Sequence, residues 1–168
     1  MPHPLILQLR FTRSEFKRAL EGITEEEGQR RFMPINCISW MVGHLAWQEQ
    51  LYWLTRAQNK IIVPEINELT ANGRPASTPS LTAMWQAWNA ITKEADVWLD
   101  ALTPDVLTTH LPHDARNEPE TGGTMLLRNI YHYWYHMGES QAIRQLLGHT
   151  HLPSFVGAIG AEAPYIPE

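Results

Sequence analysis

Two histidines in the segment YHYWYH (residues 131–136) stand at a spacing that suits metal chemistry. His132 and His136 are four residues apart in a stretch whose apolar residues recur with helical period. In a helix this spacing places both imidazoles on one face, one turn apart, where they can bind the same metal ion. The pair by itself is weak evidence, because helices also carry this pattern by chance.

His44 supplies a third imidazole from another predicted helix. Mostly apolar residues lie one helical turn from it: Trp40, Met41, Trp47 and Gln48. His44 is therefore expected to point into the core. A single histidine in a core usually has a hydrogen-bond partner for its ring and no role in metal binding. For His44 taken alone, that alternative stands.

The three histidines together predict an open metal site. Two helices of one bundle can bring His44 against His132 and His136, and three protein ligands leave a coordination position for water or substrate. The chain has one cysteine, so a closed site built from thiolates is excluded. Imidazole ligands suit a divalent ion, with zinc or nickel expected first and iron, copper or manganese also fitting.

Glu139 is the candidate catalytic residue beside the histidines. It follows His132 by seven residues and His136 by three, so it projects from the same helix face. It could orient a ring N–H, act as a general base or approach the metal; the alternative is a solvent-facing glutamate. Residues near the histidine faces are predicted to line a pocket: Trp40, Trp47, Gln48, Asn129 and Tyr135.

Four stretches with helical period must position these side chains. Apolar residues recur at three- and four-residue steps over about 4–20, 37–58, 79–102 and 122–147. In the first of them Arg10, Arg13, Glu15 and Lys17 are expected to form the polar face. Strand-like alternation is absent, so the prediction is an all-α protein, a four-helix bundle with long connections.

Capping residues define the ends of these predicted helices. Thr78 is expected to cap the third helix, with Pro79 in its first turn, and Thr121 to cap the fourth, which Gly148 would end. A short helical turn is expected over 24–31. The irregular C-terminal tail over 149–168 is apolar enough to pack on the bundle or on a second subunit.

Length and composition narrow the class of protein. The 168 residues, 43% of them hydrophobic, suffice for one core, so residues 1–168 are expected to form a single domain. The formal net charge of −5 argues against a nucleic-acid partner. No apolar run approaches the roughly 18 residues of a membrane span. No basic region followed by an apolar stretch, as in a signal peptide, is evident at the N-terminus, so a cytoplasmic protein is expected.

Two of these segments resemble the DinB-like (YfiT-like) superfamily of metal-binding four-helix bundles. The resemblance rests on ISWMVGHLA at 38–46 and HYWYHMGE at 132–139, and the order and lengths of the helices extend it over residues 5–148. It implies that His44, His132 and His136 are the metal ligands. The family often has His-Arg-Gly-Gln at the last ligand, where this chain has His136-Met137-Gly138-Glu139.

The resemblance also implies an activity. The family includes S-transferases that use bacillithiol or mycothiol, so the chain is expected to activate a low-molecular-weight thiol for transfer to a small-molecule substrate. A metal-dependent hydrolase is one alternative, and a non-catalytic metal-binding or small-molecule-binding stress protein is another. Family members commonly pair through helix faces, which implies a homodimer.

Overall fold

Four long helices dominate the computed structural model, which describes residues 3–112, 120–154 and 156–166. They are α1 (Pro4–Ala19), α3 (Ile38–Glu49), α5 (Leu81–Asp100) and α7 (Gly122–Leu146). Short helices lie between and after them: α2 (Glu25–Gln29), α4 (Ile66–Leu69), α6 (Pro104–Thr108) and α8 (Ile159–Glu162). The described residues contain no strand beyond an isolated bridge between His110 and Thr121. The prediction of an all-α bundle is confirmed.

The second long helix continues beyond α3 in a different winding. Residues Gln50–Arg56 form a π-helix, in which hydrogen bonds run to the fifth residue instead of the fourth. The apolar period predicted one helix over 37–58 and gave no sign of this change. Each π turn takes in about one extra residue, so side chains after Glu49 face directions that a regular α-helix would not give them.

One of the two predicted helix caps is observed, and the other has to be corrected. Thr121 caps α7 as predicted, accepting a hydrogen bond from the Thr124 N–H at 3.2 Å. The predicted cap of α5, Thr78, is wrong, because α5 begins two residues later with Ser80 as its cap. The Glu25 carboxylate accepts the N–H groups of Leu81 and Thr82, so α2 supplies partners for the first turn of α5.

The apolar faces of the long helices pack into one core. α3 packs mainly on α5 and α1 mainly on α7, while α3 also contacts α7. Side chains at the centre are fully buried, among them Phe16, Met41, Trp53, Ile91 and Tyr133. Burial of such apolar surface is the principal stabilising contribution to a bundle of this kind.

An ion pair lies inside this core. Arg13 and Glu49 are 5% and 0% exposed, and two guanidinium nitrogens of Arg13 donate to the two carboxylate oxygens at 2.8 and 2.6 Å. The Tyr133 hydroxyl donates to the same carboxylate at 2.9 Å. Arg13 and Glu15 were expected on an exposed polar face, and both are buried instead. The expectation failed because an oppositely charged side chain compensates each of them. The partner of Arg13 lies on another helix, and that of Glu15 lies one turn away on the same helix.

The C-terminal tail packs against α1. The Gln8 side chain donates to the Ala163 carbonyl at 2.8 Å, and the Gly157 N–H donates to the Glu15 carboxylate at 2.9 Å. Arg18 donates to the Ser154 carbonyl at 2.7 Å. Of the two surfaces expected for the tail, it therefore covers the bundle of its own chain. Among the helices described, none has the length and hydropathy needed to span a membrane.

Candidate metal centre

Three imidazoles from α3 and α7 meet inside the bundle. The ligand atoms offered by His44, His132 and His136 all lie within 4.8 Å of one another. The Nε2 atoms of His132 and His136 are 3.0 Å apart. His44 and His136 are buried and His132 is half-buried. The packing of α3 on α7 thus brings together the three histidines that the sequence placed on separate helices.

Each ring is held through its Nδ1 atom. The partners are the Thr70 carbonyl for His44 at 2.8 Å, Gln48 Oε1 for His132 at 2.8 Å, and Glu139 Oε2 for His136 at 2.6 Å. Because all three partners are oxygen acceptors, each Nδ1 is the atom that carries the proton and donates. In a neutral ring held in this way, the Nε2 atom keeps its lone pair and is the ligand atom.

The protonation of His132 is fixed by a chain of hydrogen bonds. The indole N–H of Trp53, which can only donate, is bonded to Asn129 Oδ1 at 3.0 Å. Asn129 must then present its amide nitrogen to Gln48, and this bond is 2.8 Å long. Gln48 Oε1 is therefore an acceptor, so the Nδ1 of His132 has to be the donor.

Burial keeps two of the rings neutral at pH 7. It lowers the pKa of His44 to about 4, although the hydrogen bond to Thr70 acts in the opposite direction. Burial also lowers the pKa of His132 to about 3, and the neighbouring His136 adds to the effect. Neutral imidazole is the form that binds metal ions, so no proton has to be displaced from either ring at neutral pH.

The arrangement of nitrogens fits a divalent cation. When both rings are in the neutral form that binds metal, with their Nδ1 protons directed to oxygens, no proton lies between the Nε2 atoms of His132 and His136, which are 3.0 Å apart. Two lone pairs then face each other at hydrogen-bond distance. A cation is the group that satisfies both, and imidazole donors suit zinc, nickel, copper or iron.

Two tryptophans cover the ring of His44. Trp40 stacks on it with 4.4 Å between ring centroids, and Trp47 stacks on it at 5.3 Å. They lie one helical turn before and one turn after His44 on α3. Both rings restrict the orientation of the imidazole and exclude water from its faces.

A cavity of about 1050 Å³ opens onto the histidines. His44 and His132 line it together with three residues expected there, Trp47, Gln48 and Tyr135. Asn129 was expected on the same wall, but it is fully buried and acts through Gln48 instead. Trp40 is also buried and lies behind His44. The cavity is large enough for a small organic molecule beside His44 and His132.

Glu139 holds His136 in place. The hydrogen bond from this histidine lowers the pKa of the carboxyl group, although partial burial opposes the shift. A carboxylate with a lowered pKa is a weak base, so the geometry favours the orienting role among those expected from the sequence. Glu139 in turn raises the pKa of the neighbouring Tyr135.

Sequence reasoning missed two supporting groups. Thr70 contributes a backbone carbonyl, which no side-chain pattern reveals, and Trp53 lies in an apolar stretch where its indole is expected only to pack. The histidines outside the cluster have other surroundings. His149 contacts Glu27 and Arg144, His151 is exposed, and His113 lies outside the described residues.

Of two comparisons with known proteins, one gave a match, and it agrees with this geometry. A comparison with curated proteins gave no significant match. The model of the DinB superfamily matches residues 8–140, a span that contains all three histidines and most of the four long helices. The chain therefore belongs to the DinB superfamily.

Proposed function

We propose that this protein is a divalent-metal-dependent enzyme that activates a low-molecular-weight thiol for transfer to an electrophilic small molecule. The observation that carries the proposal is the cluster of three histidines, two of which line a cavity, each with its Nδ1 atom held by an oxygen. Three protein ligands are typical of catalytic sites, since closed structural sites use four.

His44, His132 and His136 would hold the ion, with zinc or nickel expected first. When bound, such an ion supplies charge that lowers the pKa of a thiol and keeps it as the nucleophilic thiolate at neutral pH. The other side chains prepare the site. Thr70, Gln48 and Glu139 fix the three rings, and the stacked tryptophans keep water from His44.

The transfer itself is a substitution at the electrophile. The sulfur supplies the electron pair of the new sulfur–carbon bond, and the bond from that carbon to the leaving group breaks. The leaving group departs with its electron pair, and the thiol proton goes to solvent. The cavity beside His44 and His132 holds both reactants close together, which reduces the entropic cost of the encounter.

The test measures both the metal content and the conjugation activity of the protein. Protein purified without a histidine tag is analysed for metal by mass spectrometry, and conjugation is assayed with bacillithiol, mycothiol and glutathione against a panel of electrophiles. The variants are His136→Ala and, as a matched control, His151→Ala, because His151 is exposed and lies outside the cluster.

We expect metal and conjugation in the wild type and in His151→Ala, and loss of both in His136→Ala and after chelation. Equal metal in His136→Ala and the wild type would overturn the site. Metal-loaded protein that conjugates none of the thiols would overturn the reaction. Chelator-sensitive hydrolysis of an ester or amide in its place would then indicate a hydrolase, and tight ligand retention without turnover would indicate a binding protein.

A further inference from the structure

One arginine in the histidine cavity has no carboxylate partner among the residues that the structure describes. Arg56 lines the cavity together with His44 and His132, and its guanidinium lies over the Tyr52 ring, 5.2 Å from the centroid. In the part of the chain that the structure describes, no carboxylate lies within ion-pair distance of it. Arg128, on the opposite wall, differs because its Nε donates to the Glu120 carboxylate at 2.8 Å.

The π-helix places Arg56 on the histidine face. Arg56 follows His44 by twelve residues, so regular α-helical winding would turn it about 120° away. The segment Gln50–Arg56 instead takes in about one extra residue per turn. This winding returns Arg56 to the wall that carries His44, and π-helical turns of this kind are frequent at functional sites.

Charge makes this wall suited to an anion. The charges of Arg128 and Glu120 cancel, because the two side chains form an ion pair. Among the described lining residues, Arg56 therefore leaves one uncompensated positive charge. A guanidinium binds carboxylate through two parallel hydrogen bonds, and the other guanidinium of the described lining, that of Arg128, is already bonded to Glu120.

The separation of the two groups limits the size of the ligand. Gln48, which holds His132, precedes Arg56 by eight residues, which span less than about 12 Å because most of them are π-helical and rise less per residue than in an α-helix. A molecule with one end at the histidines and the other at Arg56 needs a length of about three extended residues. The cavity lining also carries aromatic rings from Trp47, Tyr131 and Tyr135, which can contact an apolar body.

We propose that Arg56 binds a carboxylate of the thiol substrate, and that this substrate is an anionic molecule of about tripeptide size whose sulfur reaches the histidines. The assignment of the sulfur rests on the function proposed above. The assignment of the carboxylate rests on the cavity, the unpaired guanidinium and the π-helix, which do not depend on turnover.

Calorimetry on zinc-loaded protein tests the carboxylate directly. The probes are glutathione, a tripeptide thiol with two carboxylates, its S-methyl derivative, which has no thiol, and its diethyl ester, which has no carboxylate. The variants are Arg56→Gln and Arg56→Lys. Arg30→Gln is the matched control, because Arg30 lies over the Phe32 ring at the same 5.2 Å but outside the cavity.

We expect Arg56→Gln to bind glutathione and its S-methyl derivative about tenfold more weakly, the effect of one charge-assisted hydrogen bond. Arg56→Lys should recover part of the loss, Arg30→Gln should bind as the wild type does, and the diethyl ester should bind weakly to all. Equal affinity of the wild type and Arg56→Gln, tight binding of the ester, or no binding of any probe by the wild type would overturn the proposal.

The two proposals fail in different ways. If the S-methyl derivative binds in an Arg56-dependent manner but no thiol is conjugated, the carboxylate site stands and the proposed reaction is wrong. If thiols are conjugated while Arg56→Gln retains full affinity, the reaction stands and the assignment of Arg56 is wrong.

Discussion

The hydrogen bond at the Nδ1 atom of each histidine ring determines that the Nε2 atom is the one available to a metal ion. A backbone carbonyl, an amide oxygen and a carboxylate hold the Nδ1 atoms of His44, His132 and His136. These three acceptors impose one protonation pattern and one orientation on every ring. The spacing of the histidines in the sequence predicted the ligands, whereas the acceptors come from contacts between elements distant in sequence.

A substitution of Gln48 tests most directly whether these acceptors orient the rings for metal binding. In Gln48→Leu the Nδ1 of His132 loses its acceptor, and Asn129 loses the partner of its amide nitrogen. We expect zinc affinity, measured by competition with a chelator, to fall about 10- to 100-fold, as for other residues that orient metal-binding histidines. Nitrogen NMR of the metal-free variant should show His132 in mixed tautomers.

Gln48→Glu is the matched control. Its carboxylate can still accept from both His132 and Asn129, so zinc affinity and the tautomer of His132 should stay close to those of the wild type. Unchanged affinity and a single tautomer in Gln48→Leu would contradict the orienting role.

At the scale of helices, the sequence predicted where most elements lie but not how they wind or begin. The apolar period over 37–58 is the same for an α-helix and for an α-helix that continues as a π-helix, so the change at Gln50 gave no signal. α5 begins after Ser80 because Glu25 of α2 binds the N–H groups of its first turn. Such a contact joins residues far apart in the chain, and local capping preferences cannot reveal it.

Gly43 shows how closely the elements around His44 approach each other. A Cβ atom at this position would lie 2.7 Å from Thr70 Cγ2 and would also clash with the Met84 sulfur. Gly43→Ala should therefore displace α4 and α5, at a cost of about 1–3 kcal/mol in the free energy of unfolding. Since Thr70 holds His44, zinc affinity should fall as well.

Gly138→Ala is the matched control for that change. A Cβ there would meet nothing within 4 Å, so alanine in mid-helix should raise the free energy of unfolding by about 0.5–1 kcal/mol. Urea unfolding of the metal-free proteins measures both variants. Equal stability of Gly43→Ala and Gly138→Ala would show that the close packing around Gly43 does not contribute to the free energy of unfolding.

At the scale of the whole molecule, apolar periodicity was sufficient to predict the bundle, since each long helix buries an apolar face. It could not predict the polar groups inside. A charged residue on a helix is ordinarily solvated, and only the packing of α1 on its neighbours shows that Arg13 meets Glu49 in the core. Nothing in the local sequence around Arg13 indicates a partner 36 residues away.

This buried pair gives the last prediction. Arg13→Met leaves the Glu49 carboxylate fully buried and without its cation, so the free energy of unfolding should fall by about 3–5 kcal/mol. The double variant Arg13→Met/Glu49→Leu removes both charges and should recover most of that loss. Arg10→Met is the control, because its ion pairs with Asp96 and Asp100 are partly exposed and should be worth less than about 1 kcal/mol. Urea unfolding of all three tests this, since a double variant no more stable than Arg13→Met would mean that the loss does not come from the uncompensated Glu49 carboxylate.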